Sequence, residues 1–153
     1  MHRVLRSPPR YVQGEGITER LAAEMALLGL TGPVLVVGDS VAVGALAPVW
    51  AASMAAAGWQ HRVRVFGGEC TAAEIEALAA EARSLGARAL VGVGGSTCLD
   101  AARATAAAVD LPFVSCPTVA STDASSSHGR NPDLVLVDSS VIARSGSECR
   151  SPS

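Results

Sequence analysis

Residues 88–109, RALVGVGGSTCLDAARATAAAV, join an apolar run to an alanine-rich run through a glycine turn. The first run, 88–93, is continuous and rich in aliphatic residues, which predicts a strand buried on both faces. The second, 98–109, is predicted to be a helix. Gly94 and Gly95 between them let the backbone turn tightly, and the start of the helix offers unpaired N–H groups. The stretch therefore predicts a strand, a tight turn and a helix, as in an α/β protein.

Similar alternation of strand-like and helical patterns runs through the rest of the chain. Strands are predicted at 33–37, 61–66, 112–116 and 134–137, and helices at 17–28, at 71–85 and from about Ala47 with Pro48 in the first turn. Thr71 and Glu74 form a capping box that marks the start of one helix. Strands that alternate with helices predict a parallel Rossmann-like sheet with helices on both faces. The carboxyl ends of the strands then share one edge, where ligands bind.

Composition favours one folded domain. The chain has 153 residues, of which 49% are hydrophobic and 17% charged, and its net charge is −2 with a pI near 5.9. No basic stripe is present, which argues against nucleic acid and anionic membrane as partners. The longest near-continuous apolar stretch, 48–58, is too short to cross a bilayer, and the first residues lack the apolar segment of a secretory signal.

The cysteines and histidines are scattered along the chain. Cys70, Cys98, Cys116 and Cys149 form no C-x-x-C pair, so we expect reduced thiols in a cytoplasmic protein. His2, His61 and His128 have no metal-ligand spacing. From these residues alone we predict no metal site.

Several segments with functional potential follow predicted strands. The turn 94–100 either cradles a phosphate or only connects strand to helix, and Thr97 stands where the G-x-G-x-x-G fingerprint has its third glycine. Asp39 either holds a ribose or caps the next helix. The loops 66–71 and 117–123 either orient a polar small molecule or are solvated surface.

Gly38-Asp39-Ser40 also resembles the nucleophile block of GDS-type esterases. That interpretation needs a D-x-x-H block near the end of the chain to supply the base. Only His128 occurs late in the chain, and Asp123 precedes it by five positions. The pattern therefore disfavours an esterase.

A series of motifs occurs in an order that is specific to one family. The motifs are SP at 7–8, YVQG at 11–14, VVGD at 36–39, FGGEC at 66–70, GVGG at 92–95, LD at 99–100, PTVASTDA at 117–124 and NPDLVLVD at 131–138. The series resembles the N-terminal, cofactor-binding half of the glycerol dehydrogenase branch of the iron-containing alcohol dehydrogenases. The resemblance covers roughly residues 7–143.

The resemblance implies a function and a set of site residues. The family oxidises polyols such as glycerol with NAD, using a divalent metal, usually zinc, held by one aspartate and two histidines. It implies that Asp39 contacts the adenine-side ribose, that Asp123 faces the polyol, and that the turn surrounds the pyrophosphate. The remaining cofactor contacts that it implies are Gly94, Gly95, Ser96, Thr97, Cys98, Leu99, Asp100, Thr118, Ser121 and Ser127.

The chain also departs from the family. Ser96 and Thr97 stand where the branch has a third glycine and a lysine. The family's metal ligands lie in a helical C-terminal domain that this chain lacks, so we expect no catalytic residues here and no turnover by the chain alone. We expect 1–143 to be the NAD-binding domain, in a chain that could form a homo-oligomer.

The resemblance ends abruptly at Ala143. We expect residues 144–153 to be a disordered, non-homologous tail. An abrupt end predicts a shifted reading frame, with the helical domain encoded in another frame from near Ala143. The alternative is a non-catalytic nucleotide-binding module or the relic of a disrupted gene.

Overall fold

The computed structural model describes residues 10–118 and 132–142 of the chain. Its elements are strands β1 (Arg10–Gly14), β2 (Val34–Gly38), β3 (His61–Val65), β4 (Ala89–Gly94), β5 (Phe113–Pro117) and β6 (Leu134–Asp138), helices α1 (Leu21–Leu27), α2 (Ser40–Ala57), α3 (Ala72–Leu85) and α4 (Ser96–Val109), and a 3₁₀ helix, Ile17–Arg20. The strands form one sheet in the order β1-β6-β5-β4-β2-β3, and every pair is parallel. The predicted α/β fold is confirmed.

Helices cover both faces of the sheet because the central strands are apolar on both sides. Val34 and Val36 pack in one core with α1 and α2, which includes the fully buried Trp50. Leu35 and Val37 pack in the other core with α3 and α4. Side chains alternate between the faces of a strand, so a continuous apolar run serves both layers.

Helix α2 begins earlier than predicted. It begins at Ser40 rather than near Ala47, and Pro48 lies inside it. Proline removes one helical hydrogen bond, that to the carbonyl four residues earlier, which here belongs to Gly44. Both Gly44 and Pro48 are exposed, so water can satisfy that carbonyl, and Asp39 caps the helix at its true start.

Because α2 includes residues 40–47, its apolar run is longer than the stretch 48–58 suggested. By length and composition alone this 18-residue helix could cross a membrane, and core helices of globular proteins pass the same test. Trp50 and Met54 of α2 are fully buried in the core. The helix also connects β2 to β3 across one face of the sheet, so it is part of the helical layer of the α/β fold.

Strand β1 is an element that the sequence pattern did not predict. It adds to the sheet beside β6, with Tyr11 opposite Val135. Arg10 of β1 donates to Glu24 of α1 at 3.2 Å, and Arg20 lies 3.4 Å from the same carboxylate. The stretch is short and mostly exposed, so its strand conformation depends on a partner more than 100 residues away.

Asp138 joins the end of β6 to the segment that follows β1. Its carboxylate accepts hydrogen bonds from the backbone of Gly16 (2.9 Å), the backbone and hydroxyl of Thr18 (3.0 and 2.6 Å), and the backbone and hydroxyl of Ser140 (3.1 and 2.6 Å). Burial by itself would raise the pKa of this carboxyl, but the hydrogen bonds outweigh it and lower the pKa to about 2.

This carboxylate should make stability depend on acid pH. A folded pKa below the ordinary value of 3.8 gives stability that is complete above about pH 4 and is lost as the pH falls through 2. In urea unfolding, we expect wild type to lose about 2 kcal/mol more over that interval than Asp138→Asn does. Equal losses in the two proteins would contradict the assignment.

Candidate functional site

The site lies at the switch point of the sheet, where the strand order reverses. The chain passes from β2 outward to β3 and then returns to place β4 on the other side of β2. The segment after β2 enters α2 on one face of the sheet, and the segment after β4 enters α4 on the opposite face. These diverging connections open a crevice at the carboxyl ends of β2 and β4, where ligands of such sheets bind.

Gly94 forms the floor of this crevice. Its φ is 152°, and a Cβ there would lie 2.6 Å from Oδ2 of Asp39 and 3.1 Å from Cβ of Cys98. On the other side, the backbone N–H of Thr118 donates to the carbonyl of Gly94 at 3.1 Å. The end of β4 therefore lies between Asp39 and Thr118. Any side chain larger than that of glycine at position 94 would collide with the Asp39 carboxylate.

The N-terminus of α4 opens into the same crevice without a side-chain cap. Helices α2 and α3 are capped by Asp39 and Thr71, whereas the N-cap of α4 is Gly95, which has no side chain to offer. In the described part of the chain, no side chain accepts from the first N–H groups of α4. Unpaired N–H groups at the positive end of a helix dipole form an anion-binding site.

The two carboxylate oxygens of Asp39 have different surroundings. Oδ1 accepts from the backbone of Ala42 at 2.8 Å, which caps α2, while Oδ2 lies over Gly94. The N-cap interpretation of the sequence is thus confirmed. The second oxygen faces the crevice and can accept a further hydrogen bond, so a ribose contact stays a prediction.

Cys98 and Leu99 lie in the first turn of α4. Both residues are buried, and the thiol of Cys98 donates to the carbonyl of Val93 at 3.5 Å. Burial, with a further contribution from the Asp39 carboxylate, raises the pKa of Cys98 to about 12. Either residue could therefore contact a cofactor only through its backbone.

The loop after β3 lies beside the first turns of α4. The exposed thiol of Cys70 has a raised pKa, because of partial burial and then the nearby charge of Asp100. The capping box of α3 is half formed: Thr71 accepts from the backbone of Glu74 at 3.1 Å. The Glu74 carboxylate instead accepts from the backbone of Gly67 at 3.0 Å, which holds the loop in place.

Comparison with known proteins identifies the family. The sequence signature described as iron-containing alcohol dehydrogenase matches residues 8–131. The chain belongs to the iron-containing alcohol dehydrogenases.

Its relatives in this family include glycerol dehydrogenases. The chain is 33% identical to the glycerol dehydrogenase of Escherichia coli O6:H1 (strain CFT073) and 36% identical to the glycolaldehyde reductase of Halobacterium salinarum, in each case over 94% of this chain and 43% of the relative. The crystal structure of glycerol dehydrogenase from Schizosaccharomyces pombe has a TM-score of 0.80 at 28% identity, over 94% of this chain and 40% of that one. The chain thus spans less than half the length of these relatives.

The structure brings most of the predicted site residues together. Asp39, the segment from Gly94 to Asp100, and Thr118 lie at one edge of the sheet. Ser121, Asp123 and Ser127 lie outside the described residues, as does the tail from Arg144. Within residues 10–118 and 132–142, no group of three or more His, Cys, Asp or Glu side chains could hold a metal ion. The family's metal therefore does not fit these residues.

Two further glycines, which the sequence placed in candidate segments without assigning them a packing role, shape the site. A Cβ at Gly92 would lie 2.7 Å from Cβ of Ala102, and one at Gly38 would lie 3.2 Å from the ring of Trp50. Gly92 lets α4 lie directly on β4, and Gly38 lets α2 approach the end of β2. Glycine inside a buried strand is a signal of close approach, and it could have identified both positions.

Substitutions of the adjacent glycines should have unequal effects on stability. At Gly94 a Cβ meets the Asp39 carboxylate at an unfavourable φ, so Gly94→Ala should destabilise the fold by about 1–3 kcal/mol. At Gly95 a Cβ meets nothing within 4 Å, so Gly95→Ala should cost less than about 1 kcal/mol. Urea unfolding followed by circular dichroism measures both. Equal stability of the two variants would refute this account of the turn.

Proposed function

We propose that this chain is the NAD-binding domain of a cytoplasmic polyol dehydrogenase. The observation that carries the proposal is the uncapped N-terminus of α4, which opens at the switch point of the sheet opposite Asp39. In a bound dinucleotide, the pyrophosphate would lie at the N-terminus of α4. The two riboses would lie on either side of it, one near Asp39 and the other near Thr118. The open space beside Gly95, where a Cβ would meet nothing within 4 Å, leaves room for such a ligand.

Each described residue has a role in this proposal. The backbone N–H groups of Ser96, Thr97 and Cys98 bind the pyrophosphate, and Gly95 leaves room for it. Asp39 accepts from the adenine-side ribose, and Thr118 lies on the nicotinamide side. The assignments of Ser121 and Ser127 to the cofactor and of Asp123 to the substrate rest on the family resemblance.

The cofactor would supply the redox chemistry: bound NAD accepts a hydride from the carbon that carries the substrate hydroxyl. The names of the relatives support a polyol such as glycerol as the substrate. We place the groups that activate the alcohol in the part of the relatives that this chain does not span. The chain would then hold and orient the nucleotide, while the chemistry requires the rest of the family's fold.

Titration with NADH, followed by nucleotide fluorescence, tests the proposal. We expect saturable binding that Gly95→Val weakens about tenfold or more, because the new side chain fills this open space. Gly44→Val is the matched control, since Gly44 is also surrounded by open space but lies on the exposed side of α2. Absence of binding, or equal binding by Gly95→Val and wild type, would contradict the proposal.

The cofactor preference should depend on Asp39. Its carboxylate can accept from a ribose diol and repels a 2′-phosphate, so calorimetry should show tighter binding of NAD than of NADP. Asp39→Ser retains an N-cap for α2. It should reduce the difference in binding free energy between NAD and NADP by about 1 kcal/mol or more. Tighter binding of NADP by wild type would refute the role of Asp39.

The chain alone should not oxidise glycerol when NAD and zinc are added. A catalytic zinc site needs about three protein ligands and an open position, and we place those ligands outside this chain. Absorbance of NADH at alkaline pH measures the reaction. NADH formation that a chelator abolishes would show that this part of the proposal is wrong.

A further inference from the structure

We propose that two copies of this chain associate through the outer face of helices α1 and α2, as a weak dimer with two-fold symmetry. The inference does not rest on the proposed function, because this face is at the C-terminal half of α2 and the crevice is at the N-terminus of that helix. Its basis is a groove and an exposed leucine that lie side by side. A face that has both can bind a second copy of itself.

A groove of about 760 Å³ lies between α1 and the C-terminal half of α2. Its lining is small and apolar: it includes six alanines, Val49 and Trp59, and Glu19 is the one charged residue among the described residues that line it. Two of the alanines, Ala23 of α1 and Ala52 of α2, are exposed. The groove is therefore an open apolar depression rather than a filled part of the core.

The sequence of α2 explains why this face is apolar. The helix has 18 residues and contains no charged side chain, whereas α3 contains four in 14 residues. Exposed positions of α2 are occupied by small or apolar residues, among them Gly44, Pro48 and Ala56. A surface helix normally has polar side chains opposite its buried face. An exposed apolar face of this kind is typical of a surface that contacts another protein.

An exposed leucine lies beside the groove. Leu27 is one turn after Ala23 on α1, so the two residues share a face of that helix. Leu27 is 65% exposed, and the neighbouring Leu28 is 38% exposed. Alanine side chains are short, so a depression that they line has space for a branched aliphatic side chain.

These two features make the face complementary to itself. In an isologous dimer both copies use the same patch, so a projecting group and the depression that receives it must lie on one face. Leu27 of each copy would enter the groove of the other, and the two-fold axis would repeat the contact. A second copy also brings an equally uncharged helix, and a net charge of −2 per chain gives little repulsion.

The size of the face sets the strength of the association. The ten residues of α2 from Pro48 to Ala57 span about 15 Å, and two adjacent helices are about 20 Å wide. The outline of the face is thus roughly 300 Å², and its irregular accessible surface is larger. Standard interfaces bury about 800 Å² per partner. We therefore expect a dissociation constant of about 10–100 μM.

Sedimentation velocity of the full chain between about 1 and about 300 μM tests the proposal. We expect wild type to change from monomer to dimer over this range. Ala52→Lys puts a charged side chain into the groove, and Leu27→Glu removes the projecting leucine. Each should weaken dimerisation about tenfold or more.

Ala51→Lys is the matched control. Ala51 is exposed and is adjacent to Ala52 on the same helix, but it does not line the groove, so this variant should dimerise as wild type does. All of the substituted residues are exposed, and circular dichroism should show that every variant remains folded.

An equimolar mixture of Leu27→Glu and Ala52→Lys tests whether the occupant of the groove is a second copy. In the mixed dimer, one of the two symmetric contacts is that of wild type. The other contact places the new carboxylate beside the new ammonium group. The mixture should therefore dimerise with a dissociation constant within about threefold of the wild-type value.

Three results would overturn the inference: wild type that stays monomeric over the whole range, dimers that Ala52→Lys does not weaken, or a mixture that shows no recovery. Monomeric wild type would leave the face to the part of the relatives that this chain does not span. Monomers that float with phosphatidylcholine vesicles would assign it to a membrane instead. Binding of NADH by monomeric wild type would leave the proposed function standing.

Discussion

The rest of the structure depends on the close approach of α4 to β4. No Cβ fits at Gly92, because Ala102 of α4 already occupies that space, with Phe113 beside it. The helix therefore runs directly along the strand that precedes it, and the turn between them requires glycine at Gly94, where φ is 152°. As a result, the positive end of α4 opens at the point where β2 and β4 diverge, which is the geometry that an anionic ligand requires.

At two strand ends, aspartate carboxylates accept hydrogen bonds from the backbone N–H groups of adjoining segments. Asp39 caps α2 after β2, and Asp138 binds backbone N–H groups on both sides of the end of β6. In each case a short acidic side chain satisfies N–H groups that the end of a strand leaves without partners.

The same geometry disfavours an esterase. Ser40 is the first residue of α2, at the carboxyl edge of the sheet, whereas His61 begins β3 at the opposite edge. Within the described residues no histidine can act as a base for Ser40, and Asp39 is engaged as a helix cap. The Gly38-Asp39-Ser40 pattern is thus accounted for by a strand end followed by a capped helix.

The sequence by itself determined the elements whose signals are local. Local patterns predicted five of the six strands: continuous apolar runs indicated the strands that are buried on both faces, and alternating polar and apolar residues indicated β3. Thr71 and the glycine turn before α4 marked two helix starts through the chemistry of their own backbones. The candidate residues from Gly94 to Asp100 followed from that turn and from the family resemblance.

Only the tertiary structure decided the features that depend on distant partners. Strand β1 exists because β6 pairs with it, and α2 begins at Ser40 because Asp39 caps it and solvent tolerates Pro48. The two environments of the Asp39 oxygens arise only when β2 and β4 lie side by side. Hydrogen bonds and close contacts between residues far apart in the chain produce no periodic pattern in the sequence. These interactions determine the arrangement of the residues at the carboxyl edge of the sheet.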